Sequence, residues 1–387
     1  MIPFNKPFIS GKENKNIQKA TDLGQLSGDG FFTSKCKEWL EKNTGSKLAL
    51  LTNSCTAALE MTAILADIKE GDEILMPSFT FVSTANAFVL RGGIPIFIDI
   101  NPNTLNLDTN QIENFITNKT KAIVPVHYAG FGCDMESILA IAKKYELLVI
   151  EDAAQGVMSF FNKKALGSIG DLGCYSFHET KNIISGEGGA LLINNERFVQ
   201  RAEYIREKGT NRSAFYKGEI NKYTWVDIGS SFLPGELTAA FLLAQLESAT
   251  EITFQRLKTW NYYYEGLKSL DQEGIVSIPK KQNHLQHNGH IFYLIHNSEN
   301  ERNLFIKKMQ NKGIKVVFHY IPLHNSPFVI NNFSTCNRSL PFTEKISRTI
   351  SRLPMWIGVD KEYILKSTVD TLLEIKKEDK FSNVSFD

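Results

Sequence analysis

The chain has 387 residues, which is more than one average domain and enough to bury a large core. Its 43 Lys and Arg residues balance 42 Asp and Glu residues, so the overall charge predicts neither a nucleic-acid nor a membrane partner. The five cysteines are scattered and form no C-x-x-C pair, which argues against a disulfide framework or a zinc cluster. With no signal-peptide pattern and no apolar run that could span a bilayer, we expect a cytoplasmic protein.

Short apolar runs alternate with helical patterns along the first half of the chain. The strand signals are LALLTN, EILMPS, IPIFIDI, KAIVPV, LLVIED, DLGCYSF and GGALLIN. Segments such as Cys55 to Asp67 and MESILAIAKKYE place apolar residues at helical spacing between these runs. This alternation predicts an α/β domain with a mostly parallel sheet that is covered on both faces.

The second half of the chain has a different organisation. Residues 211–226 form a polar, aromatic connection of the kind that often carries function, and a long helical pattern follows from about Pro234 to Leu270. Shorter signals then occur in HIFYLIH, NLFIKKMQNKG and IKVVFHYIPLH. We therefore predict a large α/β domain over residues 1–247 and a smaller α+β domain over residues 248–387.

The segment TNSCTAALE places small and hydroxyl residues between a strand and the first turn of a helix. Free backbone N–H groups at such a helix start, together with the helix dipole, can bind a phosphate group. Ordinary N-capping by Ser54 or Thr56 is the commoner interpretation of this segment taken alone.

Asp152 ends the apolar strand LLVIED, at the edge of the sheet where open α/β proteins bind ligands. A carboxylate there can keep a pyridine nitrogen protonated, although a helix N-cap is an equal interpretation. In CYSFHETKNIISGEGGALL, a polar turn that carries Lys181 separates two buried strands. A lysine in this setting can form a Schiff base with a carbonyl, whereas most loop lysines are only solvated.

Several common motifs do not occur in the sequence. There is no G-x-G-x-x-G dinucleotide fingerprint, no Walker P-loop and no H-E-x-x-H motif. Only His284, His287 and His290 approach metal-ligand spacing, and their polar surroundings predict solvated side chains. We therefore expect no bound metal.

Seven segments, taken in order, carry a family resemblance: TNSCTAALEM, PSFTFVSTANA, VPVHYAG, EDAAQG, SFHETKN, GEGG and FHYIPLH. They resemble the sugar-nucleotide aminotransferases of the DegT type. These are fold-type I, aspartate aminotransferase-like enzymes that depend on pyridoxal 5'-phosphate (PLP). Within the family, SFHETKN, REKGTNRS, KYTW and DIGSS are most similar to members that make dTDP-4-amino-4,6-dideoxygalactose.

The resemblance implies a role for several residues at the cofactor. Lys181 would hold PLP covalently and move the proton during the reaction, and Asp152 would face the ring nitrogen. Phe81 would stack on the ring, although its apolar surroundings alone would place it in the core. The remaining implied contacts are Gln155 to the ring hydroxyl, the amides of Thr56 and Ala57 and the hydroxyl of Ser176 to the phosphate, and His178 to cofactor or acceptor, with a structural histidine as the alternative.

Further residues are implied near the acceptor and at a subunit boundary. The chain has GSSFL where many relatives have G-x-N-Y-R, so Ser231 takes the place of an asparagine that reaches the phosphate of the neighbouring subunit. His319, Tyr320 and His324 match a family segment near the acceptor, although a locally satisfied strand end is an alternative. Arg206, Lys208 and Arg212 could supply cations for the acceptor's diphosphate, although a solvated loop is the commoner interpretation of each one taken alone.

The resemblance implies a two-stage transamination. L-glutamate gives its amine to PLP, and the aminated cofactor then aminates the C4 ketone of dTDP-4-dehydro-6-deoxyglucose in a homodimer with shared active sites. The same chemistry at C3 of a dTDP-3-keto sugar, or on a GDP- or UDP-linked 4-keto sugar, is the nearest alternative. A non-catalytic PLP-binding regulator is the alternative from another class of protein.

Overall fold

A seven-stranded sheet forms the centre of the computed structural model, which describes residues 1–282, 284–333 and 338–384. Its strand order is β1-β9-β8-β5-β4-β2-β3, and only β9 runs antiparallel to its neighbours. The strands are β1 (Leu48–Thr52), β2 (Glu73–Pro77), β3 (Ile94–Ile98), β4 (Thr120–Ile123), β5 (Leu148–Asp152), β6 (Phe160–Phe161), β7 (Lys164–Ala165), β8 (Leu172–Ser176), β9 (Gly189–Ile193), β10 (Leu285–Gln286), β11 (Phe292–Ile295) and β12 (Ile350–Leu353). Strands β10, β6 and β7 form a small second sheet, and β11 and β12 form a third.

Helices cover the large sheet and build most of the C-terminal part. They are α1 (Glu13–Leu23), α2 (Phe31–Thr44), α3 (Cys55–Leu65), α4 (Val82–Val89), α5 (Met135–Lys144), α6 (Val199–Arg206), α7 (Arg212–Tyr216), α8 (Glu236–Glu247), α9 (Ala249–Gln272), α10 (Glu299–Asn311), α11 (Pro327–Asn332), α12 (Pro341–Thr349) and α13 (Lys361–Val384). Short 3-10 helices occur at Thr109–Phe115, Tyr128–Gly130, Glu196–Phe198 and Leu323–Asn325.

The large sheet is buried on both faces, because alternate residues of its strands belong to two separate cores. In β1, Ala49 and Leu51 pack into one core with residues of α2, α5, α8 and α9. Leu48 and Leu50 of the same strand pack into the other core with residues of α3, α4 and α6. This arrangement explains the nearly continuous apolar runs of the strands, and the predicted mostly parallel α/β sheet is confirmed.

The C-terminal part differs in detail from the sequence-based expectation. The long predicted helix is divided at Ser248, between α8 and α9, which is where the predicted domain boundary falls. The division into two domains stays a prediction. Of the segments with shorter signals, IKVVFHY forms only isolated bridges, through Ile314 and Val317, and no strand. One of these bridges, to Ile2, holds the N-terminal residues against the C-terminal part of the chain.

A buried carboxylate holds the start of helix α2. Glu236, on α8, is 2% exposed and accepts hydrogen bonds from the amides of Gly30 (3.1 Å), Phe32 (2.7 Å) and Thr33 (3.0 Å). The Thr33 hydroxyl donates a fourth bond to the same side chain. A carboxylate is well suited to this position, because the amide groups at a helix start have no partners within the helix.

We expect Glu236→Gln to lower the free energy of unfolding by about 2–4 kcal/mol, because the amide loses the charge and turns a donor towards backbone N–H groups. Urea unfolding of the cofactor-free protein measures this change. The matched control is Glu247→Gln on the exposed end of the same helix, which should stay within about 0.5 kcal/mol of wild type. A similar small change for Glu236→Gln would show that these bonds contribute little.

Within the described residues, no helix combines the length and the apolar character that crossing a membrane requires. Cys36, Cys55, Cys133 and Cys174 are free thiols, and Cys336 lies outside the described ranges.

Candidate active site

The candidate site lies at the end of the large sheet where the parallel strands β1, β5 and β8 finish and the antiparallel strand β9 begins. Gly189 of β9 pairs with Thr52 of β1 on one side and with Ser176 of β8 on the other. A Cβ atom at Gly189 would lie 2.5 Å from the backbone nitrogen of Cys55, so only glycine allows this close approach. The start of α3 therefore lies directly beside Ser176.

The first turn of α3 offers free backbone donors. The Ser54 hydroxyl caps the helix by accepting the amide of Ala57 at 3.0 Å. Among the described residues, the amides of Cys55 and Thr56 have no hydrogen-bond partner. The N-capping interpretation is therefore confirmed for Ser54, which occupies the Ala57 amide, and a phosphate at this turn would meet the free amides of Cys55 and Thr56 first.

Asp152 is a buried carboxylate at the end of β5. The hydroxyl of Thr84 donates to its Oδ2 at 2.6 Å, and the amide of Ala154 donates to its Oδ1 at 3.1 Å. These bonds fix the orientation of the carboxylate. Because Thr84 lies on α4, the contact joins the first turn of that helix to the end of the strand.

Glu151, the residue before Asp152, has a separate environment. It accepts the amides of Gly167 (2.8 Å), Ile169 (2.6 Å) and Gly170 (2.6 Å), and it pairs with His127 Nε2 at 2.8 Å. The amide of Cys133 donates to the other ring nitrogen of His127, Nδ1, at 3.1 Å, so Nε2 is the nitrogen that donates to Glu151. Glu151 therefore holds the loop behind the site.

Lys181 lies in the turn after β8 and is partly buried. Burial lowers the pKa of its amine, while Cys55 and Asp152 raise it and Arg352 lowers it further. A small pocket beside the lysine is lined by Ala154, Gln155, Val157, Ser176, Lys181, Asn182, Ile183, Asn288 and His290. A lysine with a lowered pKa has the neutral amine that attacks carbonyl groups.

The rings of Phe79, Tyr128, His319 and Tyr320 pack together and form an aromatic wall, which contacts Gln155 of this pocket. Gln155 donates to the Tyr320 hydroxyl at 3.1 Å, and the Tyr320 ring stacks on His319 at 3.6 Å between ring centroids. His319 Nδ1 is hydrogen-bonded to the Tyr128 hydroxyl at 2.7 Å. The backbone of Tyr320 has a φ of 34°, an unusual value for a bulky residue that directs its ring towards Phe79 and Tyr128.

Three other predicted residues have different surroundings. Phe81 is 58% exposed in the single chain, so its placement in the core, suggested by its neighbours in sequence, is wrong. His178 bonds to Thr180 within its own loop at 2.9 Å. His324 is buried, with its ring nitrogens directed to Ser78 (2.7 Å) and Glu344 (3.4 Å), which favours the structural alternative for this residue.

Ser231 does not line the Lys181 pocket but an open groove of about 710 Å³ that also contains Arg206, Lys208 and Arg212. These cations already have partners. Arg206 bonds to both carboxylate oxygens of Asp29, and the other two pair with Glu207 at 3.0 and 3.2 Å. In the single chain each of the three cations therefore already has an acidic partner.

The histidines with near-metal spacing are not uniformly solvated, contrary to expectation. His287 stacks on Phe131 at 4.5 Å, and its burial lowers its pKa to about 4. His290 bonds to Asn182 at 2.9 Å, next to Lys181, while His284 is exposed. In the part of the chain that the structure describes, no cluster of three or more His, Cys, Asp or Glu residues is arranged to hold a metal ion.

The sequence analysis did not single out Thr84, Tyr128 or Arg352. Thr84 and Tyr128 lie inside quoted motifs, VSTANA and VPVHYAG, but a hydroxyl among apolar residues has no local signal for its partner. Arg352 lies in SRLP, which matches none of the patterns considered. Thr84 contacts a residue 68 positions away, and Tyr128 contacts one 191 positions away. Only the fold brings such residues together.

These features fit PLP. A covalent lysine, a carboxylate for the pyridine nitrogen and a phosphate site are the protein groups that this cofactor requires. Lys181, Asp152, and the amides of Cys55 and Thr56 beside Ser176 provide these groups at one sheet edge.

Comparisons with known proteins agree with this fit. Residues 7–370 match the model of the DegT/DnrJ/EryC1/StrS aminotransferase family. An uncharacterized protein of Methanocaldococcus jannaschii, MJ1066, is 33% identical over 97% of each chain. The GDP-perosamine synthase of Escherichia coli O157:H7 is 28% identical over 94% of this chain and 96% of its own. The solved structure of NtdA from Bacillus subtilis, with bound cofactor PMP, has a TM-score of 0.84 at 25% identity and covers 96% of this chain and 87% of its own.

The fold and the family together define a PLP-dependent sugar aminotransferase of fold type I. The chain belongs to the DegT/DnrJ/EryC1/StrS aminotransferase family. The alternative of a non-catalytic PLP-binding regulator is thereby set aside. An enzyme of this class takes a nucleotide sugar and an amino donor as substrates.

Proposed function

We propose that this enzyme moves the amine of L-glutamate onto the C4 ketone of dTDP-4-dehydro-6-deoxyglucose, giving dTDP-4-amino-4,6-dideoxygalactose. The observation that carries the choice of acceptor is the run of four segments SFHETKN, REKGTNRS, KYTW and DIGSS. The relative named GDP-perosamine synthase supports an acceptor linked to a nucleotide, and it also favours the GDP-linked sugar as the second candidate.

In this proposal Lys181 holds the cofactor and moves the proton between the donor carbon and the sugar carbon. When bound, PLP supplies an electron sink for the carbanion that forms next to the transferred nitrogen. The neutral state of the lysine, favoured by burial, suits both tasks. The negative charge of Asp152 acts on the amine of Lys181 and opposes the effect of burial on its pKa, while a small pocket lies beside the lysine.

Other residues orient the cofactor. Asp152, which accepts a hydrogen bond from Thr84, would pair with the ring nitrogen, and Gln155, which contacts Tyr320, would pair with the ring hydroxyl. The exposed ring of Phe81 would stack on the cofactor ring. Ser176 and the first turn of α3, where Thr56 has a free amide, would hold the phosphate.

A homodimer completes the site in this proposal. Trp225 is 79% exposed and Tyr216 is 70% exposed in the single chain, and both belong to the connection beside Ser231. Large exposed aromatic side chains in one segment are typical of a protein contact surface. Ser231 would then reach the phosphate of the partner subunit, and His178, His319 and Tyr320 would face the acceptor. Analytical ultracentrifugation of the purified protein measures whether this dimer forms.

The purified protein, loaded with PLP, tests the proposal when it is mixed with L-glutamate and dTDP-4-dehydro-6-deoxyglucose. We expect mass spectrometry to find an aminated sugar nucleotide and NMR to place the amine on C4 with the galacto configuration. Initial rates should follow ping-pong kinetics, because the two substrates react in separate stages. Parallel reactions with a GDP-linked 4-keto sugar and a dTDP-linked 3-keto sugar are the comparison.

The outcomes separate the parts of the proposal. Faster amination of the GDP-linked or 3-keto sugar would overturn the acceptor. Conversion of the bound cofactor by glutamate without any sugar product would also overturn the proposed acceptor, but it would support glutamate as the amino donor. No conversion by glutamate, together with conversion by another amino acid, would overturn the donor.

A further inference from the structure

Arg352 is a cation on strand β12 that faces the candidate site. In the β11–β12 pair it lies directly opposite Tyr293, and residues opposite each other in a pair project from the same face. The Tyr293 ring is 6.1 Å from that of Tyr128, which bonds to His319. Arg352 therefore projects towards the aromatic wall beside the Lys181 pocket.

The guanidinium of Arg352 has few polar partners. Its Nη2 donates to the backbone carbonyl of Phe318 at 3.1 Å, and its Cζ lies 4.7 Å from the centre of the Phe4 ring. Its Nε is buried and has no hydrogen-bond partner. Within the described residues no Asp or Glu forms an ion pair with it, although buried charges in proteins are usually paired.

The charge of Arg352 acts on the groups around the lysine. It lowers the pKa of Lys181, and it adds to the larger effect of burial in lowering those of His290 and His319. Burial, the larger cause, disfavours the charged form of both histidines, whereas an arginine keeps its charge. By contrast, Arg206 of the open groove is already paired with Asp29.

We propose that Arg352 binds a carboxylate of the amino donor, an inference that rests on the proposed function. The planar guanidinium presents paired N–H donors that match the two oxygens of a carboxylate. The donor has a carboxylate close to its reacting carbon, whereas the diphosphate of a nucleotide sugar is separated from C4 by the sugar ring. Binding this anion would place the donor carbon near Lys181.

The test compares wild type with Arg352→Gln in the PLP-loaded enzyme by stopped-flow absorbance. The dependence of the cofactor conversion rate on L-glutamate concentration yields an apparent Kd for the donor. We expect this Kd to rise about 10- to 100-fold in Arg352→Gln, because the charge-assisted bonds are lost. Arg348→Gln, an exposed arginine on α12, is the matched control and should leave it unchanged.

A second measurement separates binding from chemistry. Calorimetry with glutarate, a dicarboxylate without an amine, should show binding to wild type and the same loss in Arg352→Gln. If that variant does not fold, Arg352→Lys keeps the charge without the paired donors and should give a smaller, measurable weakening. Amination of the sugar by enzyme already in the PMP form should be unaffected.

Three results would overturn the inference. The first is an apparent Kd for glutamate in Arg352→Gln within about twofold of wild type, well below the expected effect of losing a charged bond. The second is a loss confined to the nucleotide-sugar stage, which would assign Arg352 to the diphosphate. The third is an absence of glutarate binding to wild type. Failure of the proposed acceptor, with glutarate binding and its loss in Arg352→Gln both observed, would leave the inference standing.

Discussion

Lys181→Ala is expected to lower transaminase turnover by at least about 10⁴-fold, the upper range for loss of one acid–base group, because the same side chain also holds the cofactor. The variant should still bind the sugar nucleotide, since the proposed acceptor contacts lie on other residues. Turnover is measured by product formation, and sugar-nucleotide binding by calorimetry. The absorbance of the bound cofactor should also change, because its covalent link to the protein is lost.

Lys143→Ala is a suitable control, because this lysine is exposed in the last turn of α5. It should retain wild-type turnover and cofactor absorbance. A normal rate for Lys181→Ala would contradict the assignment of the lysine. Partial recovery of that variant by added small amines would support the proposed proton transfer.

Asp152→Asn is expected to reduce turnover by about 10²- to 10³-fold, which corresponds to the loss of one partner of a buried charged pair. The asparagine keeps the shape but cannot stabilise a protonated pyridine nitrogen. It would also turn an amide group towards the Thr84 hydroxyl, which donates to Oδ2 at 2.6 Å. The loss should appear in both half-reactions, because both use the same cofactor ring.

Reconstitution with a PLP analogue that has carbon in place of the ring nitrogen isolates this interaction. With the analogue bound, Asp152→Asn should lower turnover little further than the analogue itself does in the wild-type enzyme. Thr84→Val, which keeps the volume and removes the hydroxyl, should cost less than Asp152→Asn, because the Ala154 amide still orients the carboxylate. If Asp152→Asn lowered turnover by the same factor with the analogue as with PLP, Asp152 would act in another way.

Much of the sheet could be predicted because its strands are buried on both faces. The runs around Leu50, Ile150 and Leu191 are continuously apolar, and such runs have few other structural solutions in a chain of this length. The segment after Ile314 was harder to predict. It has the same composition as a strand, but its neighbours are the N-terminal residues and β12, and neither forms a ladder with it.

The candidate site could be predicted where one motif carried a complete chemical group. Asp152 is the last residue of the recognisable strand β5, and Lys181 lies in the polar turn after β8. The environment of these groups could not be predicted, because Thr84, Tyr128 and Arg352 reach them from distant parts of the chain. Local context was misleading for Phe81, since exposure depends on what packs against a residue and not on its neighbours in sequence.

The two acidic residues at the end of β5 have consequences for how the enzyme tolerates change. Successive residues of a strand point to opposite sides, so the pleat separates Glu151, which collects three backbone amides, from Asp152, which faces the site. A slip of β5 by one position would put either Glu151 or Ala153 in the place of Asp152. An insertion or deletion near this strand end would therefore misplace the reactive carboxylate without altering the local composition, so the chemistry depends on strand register as strictly as the packing does.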